Sequence, residues 1–170
     1  MPTRYRKGVT PDLHPQLKPL AFLLGTWVGE GRGHYPTIDD FTYGEENRYW
    51  HSGRPFISYT QRTWALDSGQ AMHAETGFVR PVGSGVVELV VAHSFGITEV
   101  SEGILRGQRL ELGSRSLVST STAKTVERLA RTIDVSGSEL EYSLDMEAVG
   151  EGFQRHLDAR LARSPSSNGS

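Results

Sequence analysis

Gly25-Thr26-Trp27-Val28-Gly29-Glu30-Gly31, continued as Arg32-Gly33-His34-Tyr35-Pro36-Thr37, decides the fold. It seats one large ring among spaced glycines at the start of a β-rich sequence. Glycine inside a strand marks a place where another backbone comes close, and a buried Trp fills the end of a core. The stretch therefore reads as the first strand of a small antiparallel barrel. Trp27 plugs the closed base, and Gly25, Gly29 and Gly31 let chain pass close to chain. Such barrels enclose a ligand cavity. The motif itself is structural, so the contents of the cavity must be read from other residues.

Downstream of Thr26, runs rich in Val, Ile, Thr, Tyr, Phe and Trp alternate with Gly, Ser, Asp or Pro clusters such as Asp67-Ser-Gly69, Gly107-Gln108 and Ser136-Gly-Ser138. Strands are expected near 26–33, 41–50, 56–65, 71–80, 85–93, 97–105, 108–117, 125–135, 139–148 and 153–163. Short links make each neighbour antiparallel, and a meander of ten strands removes its exposed edges only by closing on itself. The fold class expected is all-β, a ten-stranded antiparallel up-and-down β-barrel of the calycin or fatty-acid-binding-protein-like kind. A two-sheet Greek-key sandwich is the alternative, and it needs longer connections than the sequence contains. Residues 20–163 form one domain, preceded by a Pro-punctuated leader, 1–19, and followed by a small polar disordered tail, 164–170. The cluster Leu20–Leu24 is expected as a short turn capping a barrel end.

A net charge of −2 and a pI near 6.3 give no broad basic field, which argues against nucleic acid and against membrane surfaces as partners. No run of apolar residues is long enough to span a bilayer as a helix. The expectation is a soluble cytoplasmic protein, monomeric or homodimeric, that works on small molecules. With no cysteine, disulfides, thiolate metal sites and Cys nucleophiles are excluded. There is no His-Glu-x-x-His, no Gly-x-Ser-x-Gly elbow and no Gly-rich phosphate loop opening a helix. Asp39, Asp40, Glu45 and Glu46 read as solvated charges. Side chains alone supply no catalytic template.

Strand order nonetheless brings particular residues together. In a meander, the loops after odd-numbered strands share one end, so His34–Asp40, Ser119–Lys124 and Glu147–Gly152 rim the same mouth. Closure pairs the last strand with the first, which sets His156 beside the Thr37 loop. An imidazole, a hydroxyl and the Lys124 ammonium around a cavity opening suit an anionic cofactor with a metal centre. Alternation gives His156 no support, because it shares parity with Gln154, Asp158 and Arg160 while Leu157, Ala159 and Leu161 face the other way; interiors of ligand-carrying barrels are partly polar, so this is a caution only. His73 and His93 receive no role from this reading.

These residues resemble a known family, the nitrobindins, haem-binding β-barrels also described as peroxynitrite isomerases. The resemblance is carried by Phe22–Gly31, Tyr35-Pro-Thr-Ile38, Tyr59–Trp64, Met72–Gly77 and Arg155–Leu161, is nearest in character to the actinobacterial members, and covers about Leu20 to Arg163. It implies haem b at the open mouth, with His156 as axial iron ligand and catalytic centre. It further implies cofactor contacts from Thr37 and Lys124, and an apolar distal side. The implied activity is isomerisation of peroxynitrite to nitrate at ferric iron, together with nitric oxide binding. The alternatives are a nitric oxide carrier or sensor without turnover, and a haem-free carrier of a small hydrophobic ligand.

Overall fold

The computed structural model describes residues 11–165, so the first part of the expected leader, 1–10, and most of the expected tail, 166–170, lie outside the described residues. Ten strands follow one another: β1 (Gly25–Tyr35), β2 (Ile38–His51), β3 (Ile57–Ala65), β4 (Ala71–Gly83), β5 (Val86–His93), β6 (Ile97–Arg106), β7 (Arg109–Ser119), β8 (Val126–Ser136), β9 (Glu139–Ala148) and β10 (Glu151–Arg163). Each pairs antiparallel with its neighbours, and β10 pairs with β1 to close the barrel. The up-and-down barrel expected from the short links is the observed fold.

The glycines of β1 explain how the seam closes. A Cβ on Gly29 would stand 2.9 Å from Leu161 Cα and collide with the Arg160 carbonyl oxygen, so only glycine lets β1 and β10 approach this closely. Gly31 serves a different need, because the Tyr43 ring of β2 fills the space its side chain would take. Gly31 and Gly33, between the buried rings of Trp27 and Tyr35, thus have no side chain of their own, and rings from β2 fill the space.

Trp27 closes one end. It is fully buried, its Nε1 donates to the Leu23 carbonyl at 2.8 Å, and the Arg163 guanidinium lies over its ring at 4.0 Å. A 3-10 helix, Pro15–Leu23, covers this end and buries Leu17, Leu20 and Leu23 completely. The cap expected at Leu20–Leu24 is therefore the second half of a helix that begins inside the stretch read as leader. Leu17 supplies the apolar contact that the shorter cluster lacks.

Above this base the interior changes character. Tyr49, Ile57, Val79, Val87, Leu89, Leu110 and Leu140 form an apolar layer, and Glu45, Asn47, Gln61, Glu75, His93, Glu99, Ser101 and Arg131 are buried as well. Glu45 is a correction. Read from sequence as a solvated charge, it is fully buried because β2 turns it inward in step with Tyr43 and Asn47. At the opposite end from Trp27, the turns are tighter than expected. The presumed rim loop 34–40 shrinks to Pro36-Thr37, since Tyr35 and Ile38 already pair. Between β7 and β8 the ladder covers only Arg109–Gly113 against Ala130–Asp134. Beyond that point the two strands part, and the wall is split beside the loop carrying Lys124.

Candidate functional site: a cavity at the open mouth

A cavity of about 230 Å³ opens at the end away from Trp27. Its walls include Phe41, Val126, Leu129, Leu144, Met146 and Leu157 on one side, and Met72, His73, His93, Phe95 and Ile97 on the other. His156 lines it as well, as do the polar side chains of Gln61, Glu75 and Tyr142. In the ring of ten strands, β5 stands five places from β10 by either route, so His93 and His156 come from opposed walls.

His156 reaches the cavity because the backbone breaks step. Arg155 pairs with Asp145 and Leu157 with Leu144, so His156 is an extra residue on β10, a β-bulge. A bulge re-aims the side chains around it. This overturns the alternation argument: both His156 and Leu157 line the cavity, although simple parity sends them to opposite faces. The His156 Nδ1 lies 3.0 Å from the His34 carbonyl oxygen. A carbonyl only accepts, so Nδ1 carries the proton and Nε2 is left with a free lone pair. Burial lowers the His156 pKa, which favours this neutral, electron-donating form.

The segment that positions His156 is the Tyr35-Pro-Thr turn, through its tyrosine. Tyr35 hydroxyl donates to the Ala148 carbonyl at 3.1 Å and accepts from the Ala148 N–H at 2.8 Å, which ties the β1–β2 turn to the end of β9. Its ring meets His156 edge-on at 5.3 Å. Thr37 is exposed on the turn, and Lys124 is exposed on the β7–β8 loop; neither lines the cavity. Gly25 and Trp27 serve the closed end and Gly29 the β1 seam, while Gly31 makes room for the ring of Tyr43, which lines the cavity.

The facing wall differs from the apolar side that the resemblance implied. Glu75 Oε1 takes Arg131 Nη2 at 3.1 Å, and Glu99 Oε2 takes the same nitrogen at 2.9 Å. His93 Nε2 lies 3.1 Å from Glu99 Oε2, and Tyr59 hydroxyl donates to Glu75 Oε2 at 3.1 Å. Burial works to raise the Glu75 and Glu99 pKa values, but Arg131 and the imidazoles outweigh it. Glu75 is held well below the usual carboxylate range and Glu99 is pulled down to about 2. For His93, burial is outweighed by its two carboxylates and the pKa rises. Glu45 has no cation beside it: burial pushes its pKa up to about 7, against hydrogen bonds from Gln61 at 2.7 Å and Tyr142 at 2.9 Å.

Sequence reasoning assigned nothing to His73, Glu75 or His93. A signal was present, since His93 shares inward parity with Val87, Leu89 and Val91, and Glu75 with Val79. What separates them in sequence is brought together by register, Glu75 lying directly across from His93.

Barrel, cavity and neutral imidazole together define a ligand-binding calycin-type protein with an imidazole presented at its mouth. The chain belongs to the THAP4-like, heme-binding beta-barrel domain family, whose model matches residues 16–163, in keeping with the resemblance to nitrobindins. It is 50% identical to a protein of Nocardia farcinica named peroxynitrite isomerase, over 89% of this chain and 92% of that one. It is 47% identical to peroxynitrite isomerase 2 of Mycobacterium ulcerans, over 89% of this chain and 97% of that one. The crystal structure of Rv2717c from M. tuberculosis superposes with a TM-score of 0.86 at 46% identity, covering 91% of this chain and all of that one. Among the described residues no helix is long and apolar enough to cross a membrane.

Proposed function

We propose that this barrel binds haem b through His156 and isomerises peroxynitrite to nitrate, binding nitric oxide at the same position. The observation that carries the reading is the His156 ring, held at a β-bulge with its Nδ1 proton given to the His34 carbonyl and its Nε2 lone pair free. That is the form of imidazole a haem iron takes as an axial ligand. The cavity also fits the group. Leu129, Leu144, Met146 and Leu157 offer apolar surface to a flat macrocycle, and the open mouth lets an edge larger than the enclosed space stand outside. Lys124 supplies an exposed ammonium for a propionate at that edge, and Thr37 a hydroxyl on the adjoining turn.

When bound, haem supplies the iron at which peroxynitrite is rearranged and nitric oxide is held. The chain supplies orientation and exclusion. His34 and Tyr35 fix the ring plane of His156, the apolar wall limits water, and the narrow cavity keeps the reacting fragments together. The substrate follows from the names of relatives that match over nearly their whole length.

Titration of the purified protein with hemin should give a Soret band that saturates at one equivalent and is lost or strongly shifted in His156→Ala. A wild-type protein that stays colourless would remove the haem reading and leave a carrier of a small hydrophobic ligand. Rapid mixing of the ferric protein with peroxynitrite should accelerate its decay and yield nitrate in catalytic excess over protein. Absence of acceleration would leave nitric oxide binding alone.

A further inference from the structure

The cavity wall facing His156 carries a second set of donor atoms that the haem reading does not use. His73 Nε2 and His93 Nδ1 each stand 3.3 Å from one oxygen, Glu75 Oε1. One ligand atom from each of the three residues lies within 4.8 Å of the other two. Tetrahedral zinc, with bonds of about 2.0–2.1 Å, needs donors roughly 3.3–3.4 Å apart. Two of the three separations already have the edge length of that tetrahedron.

The outer atoms of the same side chains are occupied. His93 Nε2 meets Glu99 Oε2 at 3.1 Å, His73 Nδ1 meets Ser94 Oγ at 3.2 Å, and Glu75 Oε2 takes the Tyr59 hydroxyl at 3.1 Å. Partners of this kind fix the orientation of metal ligands. The inner atom of His93 is the anomaly: its side chain is only 4% exposed, yet Nδ1 makes no hydrogen bond. With the Nε2 proton directed at Glu99, the neutral ring leaves Nδ1 as a buried lone pair that faces the Glu75 oxygen and has no donor, which is destabilising unless a ligand takes it. Charge points the same way. Glu75 and Glu99 bring two negative charges and Arg131 one positive, so the carboxylates exceed the guanidinium by one charge.

The geometry points to a second metal site, in which His73, Glu75 and His93 bind a divalent cation of the zinc, ferrous or cobaltous class. Two imidazoles and one carboxylate hold the ion, and its remaining positions open into the cavity. This site stands apart from the haem reading, because it uses none of the residues assigned to that cofactor.

The test uses haem-free protein titrated with zinc by calorimetry and with cobalt(II) by visible absorption. One equivalent per chain should bind, with the intense d–d bands of low-coordinate cobalt. His73→Ala and His93→Gln should abolish binding, and Glu99→Gln should weaken it about 10–100-fold by releasing the His93 ring. His156→Ala should bind zinc normally, as should His34→Ala, which removes the surface pair of His34 with Asp40. His73 is only partly buried at the mouth, so His73→Ala keeps the fold, and its melting curve without metal verifies this. Hemin titration of the same variants separates the two readings: His73→Ala should keep its Soret band while losing zinc, and His156→Ala the reverse. No stoichiometric zinc binding, binding that survives His73→Ala, or binding lost in His34→Ala or His156→Ala overturns the proposal.

Discussion

Trp27 and His156 are both rings at the ends of the barrel, and what holds each one separates their roles. Trp27 donates its only polar atom to the Leu23 carbonyl, lies in one apolar cluster with Leu17, Leu20 and Leu23, and is covered by the Arg163 guanidinium. Nothing about it remains free for a ligand. Trp27→Ala should therefore destabilise the protein by about 3–5 kcal/mol, as measured by urea unfolding, while the hemin end-point of the folded fraction stays the same. Loss of haem affinity with unchanged stability would mean that the motif lines the ligand site. His156, in contrast, leaves Nε2 unbonded and faces the cavity. Its position was legible from barrel closure, which sets it near the β1–β2 turn. Its direction was not, because nothing in Gln154-Arg155-His156-Leu157 marks the extra residue; the bulge exists only relative to the register of β9.

At the scale of strands, the β1–β10 seam depends on the absence of one methyl group. Gly29→Ala drives a Cβ into the Arg160 backbone, which has no side-chain freedom with which to yield. It should cost about 1–3 kcal/mol by overpacking. Gly113→Ala on β7 is the matched control, since a Cβ there meets nothing within 4 Å, and its melting temperature should hold or rise. Equal behaviour of the two variants would show that the seam tolerates widening. The strands themselves were legible, because alternation and Gly, Ser and Asp punctuation are local properties of β4 to β9. The turns were less so: Tyr35 reads as the start of a loop until its pairing with Ile38 and its two bonds to Ala148 are known. The polar wall was hidden for the same reason, as Glu75, His93, Glu99 and Arg131 come from four strands and meet only through register.

For the whole molecule, buried carboxylates of opposite behaviour shape stability against pH. Glu99 falls from an ordinary 4.5 to about 2 on folding, so its contribution is fully present above pH 4.5 and is lost as pH drops through 4.5 toward 2. Glu75 acts in the same direction. Glu45 does the reverse. Its pKa rises from 4.5 to about 7, the folded state holds the proton longer, and stability declines as pH climbs across that interval. At 1.36 kcal/mol per unit, that decline is on the order of 3 kcal/mol between pH 4.5 and about 7. His93, also raised, adds to it, since its share is present below its unfolded pKa and disappears as pH passes the folded value. Arg131 decides which carboxylate behaves which way: it touches Glu75 and Glu99, while Glu45 has the neutral donors Gln61, Tyr142 and Asn47. Glu45→Gln keeps the shape and removes the charge. Urea unfolding at pH 5 and pH 8 should show wild type weaker at pH 8 and the variant flattened, gaining up to about 3 kcal/mol over wild type at pH 8 with little difference at pH 5. An unchanged slope in Glu45→Gln would shift the alkaline loss to His93 and leave Glu45 ionised at no cost inside the barrel.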